Sequence, residues 1–233
     1  LGISGKRIQK NNNVNKITLS APNVGAFLLA AAILLACGKQ ADNKPPRASD
    51  VLLQQFPLLE KMPDTLHFFT IQDDSTMLDI PDSVLVAALP DSIFDELHFE
   101  TSEADFHPRF RFPLDALHDA CVVYVDEFWF HRQSLLVFDK NKKRFVGAQE
   151  LSQFFGGDGG QVSSESWMLP KQQGGLLYTK ESWHTITLDE GDEPLERIEE
   201  NAHLEKWSGT GFVPVPLQDS LAMQLAFPMK WEW

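Results

Sequence analysis

Residues 120–139, ACVVYVDEFWFHRQSLLVFD, decide the fold. They are mostly β-branched or aromatic, and they are apolar at odd and even positions alike, from Cys121 to Val125 and again from Leu135 to Phe138. A strand sends successive side chains to opposite faces, so a run that is apolar on both faces belongs inside a protein. The stretch is too long for one strand and carries His131, Arg132 and Gln133 beyond its midpoint. That predicts a central antiparallel pair turning at 131–133. Asp126 and Glu127 interrupt the apolar run on opposite faces of the expected strand. A carboxylate is costly to bury alone, so each needs a partner, or the strand must bulge or bend into water.

Working outward, the polar residues 139–143 (DKNKK) separate two apolar runs and predict a second hairpin. Further strands are expected at 66–71, 76–80, 162–169, 176–188, 195–207 and 212–215. Residues 94–117 read as strand and loop, with clean alternation only at 109–112. Short helices are expected at 51–53 (capped by Ser49 or Asp50), at 83–89 (opened by Asp82 and stopped by Pro90), at 148–155 and at 219–226. The glycine-rich residues 156–160 (GGDGG) end the third of these. The fold expected is mainly β: an antiparallel sheet assembly, sandwich or meander, with a few short helices, the alternative being α+β.

Ahead of this domain, Lys6, Arg7, Lys10 and Lys16 precede eleven apolar residues, 26–36, and no Asp or Glu occurs before Asp42. Such a run has the length of a secretory signal and is too short to span ~30 Å of hydrocarbon, which takes about 20 residues. Leu34-Leu35-Ala36-Cys37 resembles the lipobox of bacterial lipoproteins. The resemblance implies cleavage before Cys37, acylation of that residue by palmitate-type chains, and attachment to a membrane of the cell envelope through lipid, the outer membrane in a Gram-negative host. An ordinary signal peptide cut at an A-x-A-like site is the alternative. The expected organisation is a signal peptide at 1–36, a lipidated Cys and polar tether at 37–50 stiffened by Pro45-Pro46, and one β-rich domain at 51–233. The order of hairpin, short helix, glycine-rich turn and long strands over 135–215 also resembles uncharacterised lipoproteins of Bacteroidota, which implies no activity.

The chain carries a net charge of −13, and without the four leader cations 16 Lys and Arg face 33 Asp and Glu, a net −17. Nucleic acid and anionic lipid both want basic patches, so neither is an expected partner. With Cys37 acylated, Cys121 has no partner in the chain and is expected as a buried, inert thiol. The seven histidines form no metal-binding spacing, neither a phosphate loop nor a G-x-S-x-G motif occurs, and no cofactor or metal is expected. The acidic run 189–193 and the GGDGG turn read as solvated turns. Candidate binding residues are therefore few: Asp126, Glu127 and His131, and the C-terminal Trp231 and Trp233, which alternate about Glu232 and share a face if extended. Six tryptophans also suit stacking on sugar rings, although packing explains most Trp in β proteins. The function expected is that of a membrane-anchored envelope lipoprotein, non-catalytic, binding another envelope protein or serving a structural role. A glycan or small-ligand binding module is the alternative, and a hydrolase using Asp126 or Glu127 the third.

Overall fold

Strands β3 (His118–Glu127) and β4 (Phe130–Asp139) pair antiparallel without a break, from His118 opposite Asp139 to Glu127 opposite Phe130. The turn between them is therefore Phe128-Trp129, not 131–133. A turn at 131–133 would set Val122 opposite Lys142. The observed register sets Val122 opposite Leu135 and Ala120 opposite Val137, all inside one core. The alternate residues Cys121, Val123, Val125, Leu136 and Phe138 enter a second core on the other side. Burial of both faces fixes register, because a slip by one residue would exchange them.

The computed structural model describes residues 45–70, 78–97, 104–157, 159–170, 175–187 and 195–230. The lipobox and Cys37, residues 71–77, the acidic run 189–193, and Trp231 and Trp233 lie outside them. The fold is mainly β, and every strand pairing is antiparallel. Strands β2 (Asp105–Pro113), β3, β4, β5 (Arg144–Gly157), β6 (Gly160–Leu169), β7 (Leu176–Thr187), β8 (Leu195–Trp207) and β9 (Phe212–Val215) follow one another as a meander. The expected central pair is thus second and third in the strand order; its centrality is in packing, with residues 120–125 all buried.

One strand departs from the meander. β5 pairs with β6 only at 153–157, and further along β6 its place is taken by β1 (Leu66–Phe68), opposite residues 166–168. Two parts of the meander then share a core: Phe112, Ala120, Val122, Leu135, Val137 and Leu151 from β2 to β5, with Leu66, Phe68, Met168, Leu177 and Trp207 from β1 and β6 to β8. The β2–β3 turn is tied to β8 by Asp115, whose carboxylate accepts Trp207 Nε1–H at 2.7 Å and is also bonded to His118 Nδ1 and the Leu117 and His118 amides. Burial pushes the Asp115 carboxyl up, but these donors outweigh it and hold its pKa at about 2.

The other core lies under helices α1 (Ala48–Gln55), α2 (Asp82–Ala88) and α3 (Asp91–Leu97), which contribute Leu52, Leu85 and Ile93. Helix α1 opens inside the segment expected as tether. Its N-cap is Arg47, and Ser49 is buried with its hydroxyl donating to the Lys143 carbonyl at 2.8 Å. Residues 94–97, read as strand and loop, belong to α3. Residues 148–155, read as a helix, are strand: β5 runs the whole length of β4, and Leu151 enters the shared core. Residues 78–80 are irregular, and Ile80 donates its amide to Phe106 O at 2.7 Å. Asp139 begins the second expected hairpin, accepting the Asn141 and Lys142 amides at 2.9 and 2.8 Å.

The C-terminal residues close a third cluster. Helix α4 (Ser220–Ala226) is capped by the Asp219 carboxylate, which accepts the Ala222 amide. Met223, Phe227 and Met229 pack on Trp167 and Tyr178. None of the described helices is long and apolar enough to cross a membrane.

Candidate functional site: the aromatic tip of the β3–β4 hairpin

Two-residue hairpin turns favour Asn-Gly or Gly-containing pairs, since at least one residue must take φ > 0. Here the pair is Phe128-Trp129, with Phe128 at φ +42. The left-handed region costs an L-residue roughly 1–2 kcal/mol. Phe128 is nevertheless 82% exposed and Trp129 60% exposed; their rings meet edge to face at 4.8 Å and do not pack into the core. A turn that is strained, apolar and open to solvent is hard to explain by folding, and such outliers concentrate at functional positions.

A second aromatic row lies on the reverse face, beginning at Phe130 opposite Glu127. Cross-strand register places Phe130 opposite Phe155, Phe155 opposite Val162, and Val162 opposite Trp183. The Phe130 and Phe155 rings stack at 4.2 Å, and Phe130 and Trp183 stay 40% and 45% exposed. The β5–β6 turn lies beside the first tip and requires glycine. Gly160 sits at φ +142, and a Cβ there would come within 2.2 Å of His184 O.

Between the two tips is a cavity of about 370 Å³ lined by Phe128, Trp129, His131, Phe154, Gly156, Gly157 and Gln161. Alternation along β3 sends Asp126 and Glu127 to opposite faces, as the sequence predicts. Asp126 is 3.0 Å from His131 Nδ1, and the same nitrogen is 3.1 Å from the Tyr124 hydroxyl. Glu127 instead pairs with Arg132 at 2.5 Å. Both carboxylates therefore have partners, and pairing continues to Glu127 without the bulge that was an expected way to accommodate them. The His131 ring is held by its two contacts at Nδ1, and the residue lines the cavity.

Three of the five sequence candidates thus meet here: Asp126 and His131 on the cavity side, Glu127 on the reverse. Trp231 and Trp233 lie outside the described residues. Of the other tryptophans, Trp167 and Trp207 are core and Trp129 and Trp183 are exposed. Phe128, Phe154 and Gln161 were missed, and Trp129 was read only as one of six tryptophans suited to stacking on a sugar ring. Phe128 and Trp129 read as strand interior because the turn was expected three residues later, and Phe154 was expected in a helix.

Two other places could do chemistry. Glu165 is fully buried, bonded to His67 Nε2 at 2.6 Å and accepting the Lys230 amide at 2.7 Å. This pair lies beneath the C-terminal segment. A larger cavity, about 520 Å³, opens between α2 and the β4–β5 turn, lined by Pro90, Ser92, Lys142 and Arg144 among others, with no carboxylate or histidine among the described residues. Cys121 is buried as expected, and burial pushes its thiol pKa up. Comparison of the chain with protein-family models, with curated proteins and with solved structures finds no match.

Proposed function

We propose that this chain is a membrane-anchored envelope lipoprotein whose folded domain is a non-catalytic binding module, meeting a neighbouring envelope component through the Phe128-Trp129 tip. The lipobox-like Leu34-Leu35-Ala36-Cys37 supports the anchor. One observation carries the binding reading: two large aromatics held in solvent on a turn whose backbone disfavours them. Exposed aromatics of this kind are the anchors on which interfaces depend. The expected partner is another envelope component, protein first and glycan second, and both are contact readings.

A hydrolase is the second reading, and the Asp126–His131 contact favours it, since a carboxylate that orients a histidine is the arrangement of a general base. Against it, the described cavity lining has no Ser, Thr or Cys to act as nucleophile, and Glu127, which could have supplied a second carboxylate, faces away.

The anchor is tested by labelling cells with a radioactive fatty acid. Wild-type protein takes up label, and Cys37→Ser is unlabelled and accumulates as precursor. Normal processing and membrane retention of that variant would contradict the anchor. Exposing purified wild-type protein to chromogenic esters and glycosides separates the readings for the domain. Binding without turnover agrees with the proposal, and turnover lost in His131→Ala would replace it with the hydrolase.

A further inference from the structure

The cavity at the tip narrows the partner's chemistry. We propose that it is a subsite for a neutral sugar ring, a proposal that rests on the binding-module reading and names its ligand class. Small-molecule sites are concave and mostly apolar, with a few fixed polar groups that orient the ligand. This cavity has that composition. Phe128, Trp129 and Phe154 supply aromatic surface, while His131 and Gln161 supply hydrogen-bonding groups.

Its size and stiffness point the same way. About 370 Å³ lies at the low end of the ~300–1,000 Å³ usual for ligand pockets, which suits a single ring with its substituents. A pyranose has one face of C–H groups and a rim of hydroxyls. The first suits an indole surface such as Trp129, and the second suits groups that both donate and accept. The Gln161 amide does both. His131 Nε2 does either: with the Nδ1 proton directed at Asp126 it accepts, and with Nδ1 accepting from Tyr124 it donates. The Asp126–His131–Tyr124 contacts fix that ring before any ligand arrives, which reduces the ordering cost of binding.

Charge selects among sugars. The Asp126 carboxylate stands 3.0 Å from the His131 ring, and among the described residues no Lys or Arg lines the cavity, so an acidic sugar or a phosphate would find no Lys or Arg counter-charge there. Glycines complete the site. A Cβ on Gly157 would have nothing within 4 Å, and one on Gly156 would press on the Gln161 side chain at 3.3 Å. A side chain at Gly156, which pairs with Gln161, would therefore displace the amide. A protein docking on the tip would need the exposed rings but not the polar pair His131 and Gln161.

The test uses the full-length chain purified in detergent, titrated with methyl glucoside, methyl galactoside, methyl mannoside and N-acetylglucosamine while tryptophan fluorescence is read. At least one is expected to bind saturably at millimolar concentration. Trp129→Ala and His131→Ala should each weaken it tenfold or more, with Val86→Ala, an exposed change on α2, leaving it unaltered. Circular dichroism of both cavity variants should match wild type. Saturable binding that survives Trp129→Ala overturns the site. Absence of binding to all four sugars overturns the sugar proposal. If a protein fraction of the host envelope is then retained by wild type and released by Trp129→Ala, the binding-module reading stands with a protein partner. If that fraction is not retained either, both fail.

Discussion

At the scale of single residues, Phe128 carries the clearest consequence. Phe128→Gly removes backbone strain and an exposed ring together, so it should raise stability by about 1 kcal/mol, read as a higher urea midpoint, while weakening ligand binding. A ring that was only structural would lose stability on the same change. Asp115 gives the opposite sign. Its Trp207 and His118 contacts join the β2–β3 turn to β8, and Asp115→Ala should cost roughly 1–3 kcal/mol by leaving those donors unmet. Its carboxyl pKa is about 2 in the folded chain against an ordinary 3.8. A depressed folded value stabilises above the unfolded pKa, and that contribution is lost as pH falls from about 4 through about 2. Urea midpoints measured across this range should fall less steeply in Asp115→Asn than in wild type. Little of this was legible beforehand. The Asp115–Trp207 bond spans 92 residues, and local patterns do not report pairings that tertiary contact creates.

At the scale of elements, burial on both faces made β3 and β4 readable, and polar punctuation made β6 to β9 readable nearly to the residue. The expected bounds of β8 and β9 are the observed ones. Failures came where local signals were mixed. Residues 148–155 (AQELSQFF) hold good helix formers and lack strict alternation, yet pairing with β4 and burial of Leu151 make them strand. The β3–β4 turn was misplaced because Phe128 and Trp129 have the composition of a strand and none of the chemistry of a turn. That same mismatch is what marks the site. The C-terminal segment also acquires a definite role. Phe227 and Met229 pack on Trp167 and Tyr178, and the Lys230 amide meets the buried Glu165. Deleting residues 227–233 should therefore destabilise the domain by roughly 3 kcal/mol or more, measured by denaturant unfolding, and not merely release a partner. Glycine at 160 is equally constrained. Gly160→Ala adds a Cβ that cannot fit beside His184 O and should open the β5–β6 turn, lowering the midpoint and ligand affinity together.

At the scale of the whole molecule, an acidic chain carries a lipobox-like sequence ahead of a β domain with an aromatic hairpin tip, attachment being proposed for the first and contact for the second. The candidate site was half legible. Asp126 and His131 stood out as polar residues in an apolar run, whereas the rings around them became visible only when register brought β3, β4, β5 and β6 to one end of the sheet. The central claim is that this tip binds an envelope component. The most direct measurement is retention of the purified full-length chain on a delipidated envelope fraction of its host, wild type against the Phe128→Gly, Trp129→Ala double variant. Saturable retention of wild type, at least tenfold weaker in the double variant, is the predicted result. Equal retention of the two folded proteins would contradict it.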